Sequence, residues 1–123
     1  MTSHNDTIFA LSSGALPAAI AVVRVSGPIA ETVLPTLGAK PVAARKAAVR
    51  VLRDPADGGF LDEALCLFFP GPNSATGEDL LELHCHGSRA VVSRLFAILS
   101  EAGLREAEAG EFTRRAFAHG RMD

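Results

Sequence analysis

The chain has 123 residues, with 12 Lys and Arg against 14 Asp and Glu, so its formal net charge is −2. Hydrophobic residues make up 48% and charged residues 21%, the balance of a single soluble globular domain with its own core. No apolar run approaches the roughly 20 residues that span a bilayer. The two cysteines, Cys66 and Cys85, are too few for a disulfide framework. The absence of Trp and Tyr and the slightly acidic balance exclude a basic, aromatic platform for nucleic acid.

The N-terminal stretch Met1–Asp6 has no basic region and does not read as a secretory signal. Together with the cysteine usage, this gives the expectation of a cytoplasmic protein without a membrane anchor.

In chain order, Thr7 to Leu11 and Ala19 to Val25 read as strands. The second is apolar on both faces until Arg24, which suggests a central strand. Ile29 to Leu37 reads as a short helix with Pro28 at its first turn and Pro35 weakening its last. Lys46 to Arg53 reads as an edge strand with basic ends, Val49 and Val51 on one face and Arg50 on the other. The turn residues Asp57-Gly58-Gly59 join it to a strand from Asp62 to Phe69, a hairpin.

Asp79 to Cys85 alternates around Leu81 and Leu83 and is a further strand. Ser88 to Ala102 is the clearest helix, capped by Ser88 and closed by Gly103. Val91, Val92, Leu95, Ile98 and Leu99 form its apolar stripe. Leu104 to Ala107 is a short strand and Glu111 to His119 a final helix. Most of the seven Phe sit in apolar runs that read as core. The order of elements points to a two-layer α+β domain, with helices packed on one face of a mixed, mostly antiparallel sheet.

Four features are candidates for chemistry. In Glu82-Leu83-His84-Cys85-His86, strand alternation puts Glu82, His84 and His86 on one face and Leu83 and Cys85 on the other. A carboxylate and two imidazoles on one face suit a divalent metal. The bland alternative, a polar sheet face that binds something organic or nothing, outweighs it. The loop Gly71 to Asp79 has the glycines of a phosphate loop but Glu78 where the cation belongs. A structured turn, with Asn73, Ser74 or Thr76 bonding the backbone, is the better reading.

Arg24 enters an apolar strand, where a charge is costly unless paired. Its guanidinium suits a carboxylate or planar polar ligand, and an internal ion pair with Glu82 or Glu111 is an equal alternative. The adjacent Arg114 and Arg115 read as a solvated helix face. Neither cysteine has a basic neighbour to activate it, and no nucleophile and base stand together. No catalytic residue is assigned.

Four segments together resemble one family. They are Asp6-Thr7-Ile8; Val22-Val23-Arg24-Val25-Ser26-Gly27-Pro28; Phe69-Pro70-Gly71-Pro72-Asn73-Ser74-Ala75-Thr76-Gly77-Glu78-Asp79-Leu80-Leu81-Glu82-Leu83 with His86-Gly87; and Gly110-Glu111-Phe112-Thr113-Arg114-Arg115-Ala116-Phe117 with Gly120-Arg121-Met122-Asp123. They are similar to the N-terminal domain of the MnmE/TrmE tRNA-modification GTPases, across essentially the whole chain.

The resemblance implies a folate-binding-type fold over residues 1–123, with helical and G domains elsewhere in the parent protein. It implies homodimerisation through this domain and binding of 5-formyl- or 5,10-methylene-tetrahydrofolate. In the parent it implies GTP, magnesium and potassium in the G domain, and action on the wobble uridine of tRNA with the flavoprotein MnmG (GidA). By position in the matching motifs, the implied folate contacts are Arg24, Glu82 and Arg121, with Arg121 standing where the family has Lys. The loop Ser12-Ser13-Gly14-Ala15-Leu16-Pro17-Ala18-Ala19 departs from the family's Gly-rich sequence. Alternatives are a purely structural dimerisation domain with a degenerate pocket, a folate-dependent aminomethyltransferase relative, and a metal-dependent hydrolase using Glu82, His84 and His86.

Overall fold

A computed structural model describes residues 6–121; Met1 to Asn5, and the Met122-Asp123 end of the last motif, lie outside the described residues. Among the described residues, six strands form one sheet: β1 (Ile8–Leu11), β2 (Ala18–Ser26), β3 (Ala48–Arg53), β4 (Phe60–Phe69), β5 (Leu80–Gly87) and β6 (Arg105–Glu106). Their spatial order is β3-β4-β5-β2-β1-β6. Every pairing is antiparallel except β1 with β6. The long strand rich in Ala, Ile and Val is indeed central, because β2 is bonded on both sides.

The helices are α1 (Val33–Thr36), α2 (Arg89–Glu101) and α3 (Glu111–Ala118). The expected helix over Ile29 to Leu37 is smaller than its pattern suggests. It consists of a 3-10 turn, Ala30–Thr32, running into the single turn of α1. Pro35 lacks the N–H that would continue the ladder, and the chain leaves the helix at Leu37. The other elements fall where expected, within a residue or two. Ser88 Oγ accepts from Val91 N at 3.4 Å as the cap of α2. The β3–β4 hairpin closes through Gly58 N to Asp54 O at 2.7 Å.

Strand alternation divides the sheet into two unlike faces. Ala21, Val23 and Val25 of β2, Leu81, Leu83 and Cys85 of β5, and Ala64 and Cys66 of β4 are all buried on one face. Val92, Leu95, Ile98 and Leu99 of α2, and Val33 and Leu34 of α1, cover it. Phe9 of β1 meets Phe96 of α2 edge to face, with ring centroids 4.8 Å apart.

The expectation that most Phe belong to the core holds with two exceptions: Phe68 and Phe96 pack against the core, and Phe69 and Phe112 are half-buried. Phe9 is buried, but Phe60 and Phe117 are 66% and 73% exposed. Phe60 starts an edge hairpin strand and Phe117 lies on the outer side of α3, where no second layer reaches them.

On β3 the core contribution comes from Leu52, while Val49 and Val51 lie exposed on the opposite face. Arg50 is free to point to the core side because its guanidinium donates to Lys40 O and Pro41 O at 3.0 Å each. Those bonds fasten the α1–β3 connection to the sheet edge.

Helix α3 does not join this packing layer: Ala116 is buried but lies outside the main core cluster. Its anchor is ionic instead. Arg115, expected on a solvated face, is 2% exposed. It donates to Asp6 Oδ1 at 2.5 Å, Glu111 Oε2 at 3.1 Å and both oxygens of Glu78 at 3.2 Å. The expectation failed because adjacent residues are turned about 100° from each other around a helix, which lets one arginine of the pair face inward while the other faces water. Arg114 alone faces outward, pairing with exposed Glu108.

Candidate functional site

The uncovered face of the sheet carries the polar residues singled out in the sequence. Strands β2 and β5 are neighbours, in a register that sets Arg24 opposite Glu82, Val22 opposite His84 and Ile20 opposite His86. Arg24 therefore reaches Glu82 directly across one strand gap. Its Nε donates to Glu82 Oε2 at 3.1 Å, and its Nη2 lies 3.0 Å from the same oxygen as an ion pair. Of the two internal partners open to Arg24, the register selects Glu82. Glu111 is taken by Arg105 and Arg115.

His84 completes the arrangement, its Nε2 lying 3.0 Å from Glu82 Oε1. An ionised carboxylate only accepts, so Nε2 carries the proton in this pair. Burial opposes ionisation of Glu82, but the hydrogen bonds from His84 and Arg24 outweigh it and hold the carboxyl below the ordinary glutamate value. The Glu82 side chain is 15% exposed, so the carboxylate is recessed yet open to a ligand.

His86 takes no part. Its Nδ1 lies 2.7 Å from Asp62 Oδ1, and its backbone N–H donates to the other oxygen of Asp62 at 2.8 Å. Glu82, His84 and His86 share a strand face as expected, but His84 and His86 turn to different carboxylates. No group of three His, Cys, Asp or Glu among the described residues is arranged to hold a metal ion.

The cysteines lie on the other, buried face. Burial pushes both thiols up to about 11, which leaves them protonated and unreactive at neutral pH.

The loop between β4 and β5 is a structured turn, built largely as its composition suggests. Ser74 Oγ donates to Glu78 O, Glu78 N to Thr76 Oγ1 at 3.3 Å, and Gly71 N to Asp79 Oδ1 at 2.9 Å. The loop is fastened to the end of β2 by Ser26. Its hydroxyl bonds Thr76 Oγ1 at 2.8 Å and donates to Glu78 Oε1 at 2.7 Å. Ser26 is two residues beyond Arg24 on the same strand face. The loop thus stands at the edge of the Arg24–Glu82 pair.

Arg121 is exposed and belongs to this loop region, with its Nε donating to Ser74 O at 2.9 Å. It makes no hydrogen bond or ion pair with Arg24 or Glu82. Gly77 permits the approach of the chain end, since a Cβ there would lie 2.5 Å from His119 Cβ and 3.2 Å from Arg121 Cγ. Two of the three implied folate residues are therefore in contact, and the third is held against the adjoining loop.

Sequence reasoning missed the cluster of Asp6, Glu78, Glu111 and Arg115 that holds these parts together. One signal was legible: Glu111 and Arg115 stand four apart on a helix, the spacing of an ion pair. Asp6 and Glu78 are distant in sequence and gave none.

The family model described as GTP-binding protein TrmE N-terminus matches residues 7–121. The tRNA modification GTPase MnmE of Erythrobacter litoralis (strain HTCC2594) is 59% identical over 119 residues, covering 96% of this chain and 28% of that protein. The protein of the same description from Bradyrhizobium sp. (strain ORS 278) is 56% identical over 124 residues, covering 100% of this chain and 28% of its own length. The chain spans little more than a quarter of the length of these relatives.

Proposed function

The chain belongs to the TrmE N-terminal family, and on that premise we propose that it is the tetrahydrofolate-binding and homodimerisation module of a tRNA-modifying GTPase. The parent protein acts on the wobble uridine of tRNA in the cytoplasm together with the flavoprotein MnmG, and a separate G domain binds GTP, magnesium and potassium. The module itself contributes no catalytic residue. Its ligand is 5-formyl- or 5,10-methylene-tetrahydrofolate, held by Arg24, Glu82 and Arg121.

The observation that carries the folate reading is the recessed Glu82 carboxylate on an open sheet face, braced by Arg24 and beside the β4–β5 loop against which Arg121 is held. A pterin presents a ring N–H and an exocyclic amino group along one planar edge, donors that a carboxylate is suited to accept. The glutamate tail of a folate carries carboxylates that match an arginine fork. Support for the dimer comes from Ile20, Val49 and Leu65, exposed by 58, 56 and 38% on the same uncovered face. Apolar groups on an open sheet face suit burial against a second copy.

One observation favours a purely structural dimerisation domain: Arg24 and Glu82 already satisfy each other. Calorimetry with 5-formyl-tetrahydrofolate separates the two readings. Saturable heat supports the folate module. No heat from a chain shown by sedimentation to be dimeric supports the structural one.

A further inference from the structure

We propose that His84 is a positioning residue of this site, fixing the plane of the Glu82 carboxylate so that it accepts the N–H edge of a flat heterocycle. The inference rests on the folate reading of the site and adds a fourth residue to it. Glu82 is held asymmetrically. Both Arg24 contacts fall on Oε2. Among the described residues, Oε1 is held by His84 Nε2 alone. A glutamate's terminal torsion is broad, so a carboxylate fastened at one oxygen still swings the other. The imidazole N–H removes that freedom.

The ring of His84 is itself confined. In register it lies between Val22 of β2 and Leu65 of β4, apolar neighbours that offer it no competing acceptor. Its polar partner is Glu82, two positions back on the same strand face. His86, two positions ahead, is engaged by Asp62.

One bond from His84 leaves Oε1 with acceptor capacity for a further donor. A planar edge with two adjacent donors takes Oε1 with one N–H. It takes Oε2 with the second when Arg24 yields one of its two contacts there. Arg24 is free to do so because a third of its side chain is exposed to water. A carboxylate that rotates loses the second contact, and with it the preference for a two-donor edge over a single donor.

The test compares the wild-type chain with His84→Ala and His84→Gln, whose carboxamide N–H replaces the imidazole donor. Circular dichroism confirms that each is folded. Calorimetry with 5-formyl-tetrahydrofolate is expected to show His84→Ala at least about fivefold weaker and His84→Gln within about twofold of wild type. Carbon-detected NMR of the Glu82 carboxyl gives a ligand-free readout. Its titration midpoint is expected to rise in His84→Ala and to recover in part in His84→Gln.

Wild-type binding with His84→Ala equally tight overturns the positioning role and leaves the folate reading intact. Absence of wild-type binding overturns the folate reading. In that event the NMR decides: a raised Glu82 midpoint in His84→Ala supports positioning for another N–H donor ligand, and an unmoved midpoint overturns it.

Discussion

Arg115 and Glu78 are 37 positions apart in the chain, yet both guanidinium-facing oxygens of Glu78 lie 3.2 Å from Arg115 Nη1. The contact joins the C-terminal helix to the β4–β5 loop, and through Ser26 it joins both to the strand that carries Arg24. One buried arginine therefore holds the surroundings of the candidate site in register. It also receives Asp6 and Glu111, so its charge is matched from the first described residue to the last helix.

Removal of that arginine is expected to be severe. Arg115→Ala leaves Glu78 and Glu111, both nearly inaccessible, without their shared cation. Breaking one side of a buried ionic cluster costs about 3–5 kcal/mol. Urea unfolding followed by circular dichroism measures it. A loss under about 1 kcal/mol would show that the cluster is solvated and that α3 is held by other contacts.

Stability is expected to fall in acid through Glu111. The paired guanidinium of Arg105 outweighs burial and, with the Glu108 N–H and Arg115, holds its carboxyl at about 2, against 4.5 when free. A carboxyl lowered by folding adds stability above its free value and loses it as pH drops through the folded one. The loss therefore runs from about pH 4.5 to about pH 2. Glu111→Gln lowers stability at neutral pH and flattens this slope. A residual slope remains from Asp54, which Arg94 also lowers to about 2. Urea midpoints measured from pH 2 to 7 on both chains give the comparison, and identical slopes would remove Glu111 from the account.

Gly87 marks a close backbone approach at the end of β5. A Cβ there would lie 2.0 Å from Ala18 O and 2.5 Å from Ala18 C, so β2 and β5 would have to part. Gly87→Ala is expected to destabilise by about 2 kcal/mol or more, the upper range of overpacking. Gly14 has nothing within 4 Å of the same construction, and Gly14→Ala serves as a control within about 0.5 kcal/mol. Thermal unfolding of the two variants reads the contrast. Equal midpoints would mean that the strand ends are free to move apart.

Glu82→Ala separates binding from stability. The Arg24–Glu82 pair lies at an accessible face, where an ion pair contributes about 1 kcal/mol or less. The fold is expected to survive with a nearly unchanged urea midpoint. Affinity for 5-formyl-tetrahydrofolate is expected to fall more than about tenfold, since the pterin edge loses its acceptor. Unchanged affinity by calorimetry would remove Glu82 from the site.

The legible part of the fold was the local part. Period-two alternation placed Glu82 and His84 together on β5, away from Leu83 and Cys85. Ser88 announced its helix cap, and the Asp57-Gly58-Gly59 turn announced its hairpin. Each depends on interactions among residues within a few positions of one another, which amino-acid type alone constrains.

Pairings across the sheet were of another kind. From the sequence, Arg24 had two equivalent carboxylate partners. Placing β5 beside β2, with residue 24 opposite residue 82, decided between them.

Arg115 shows the same division more sharply. Beside Arg114 on an amphipathic turn, it reads as solvated, because local sequence holds no trace of Asp6 or Glu78. Tertiary packing brings both within reach and converts an expected surface charge into one that is 2% exposed. Its burial is tolerated because three carboxylates and the Asp6 carbonyl surround it. The sequence by itself determined which residues face together on each strand and helix. Only the tertiary structure decided which of those faces meet, because strand order and register set distances between residues that the chain keeps far apart.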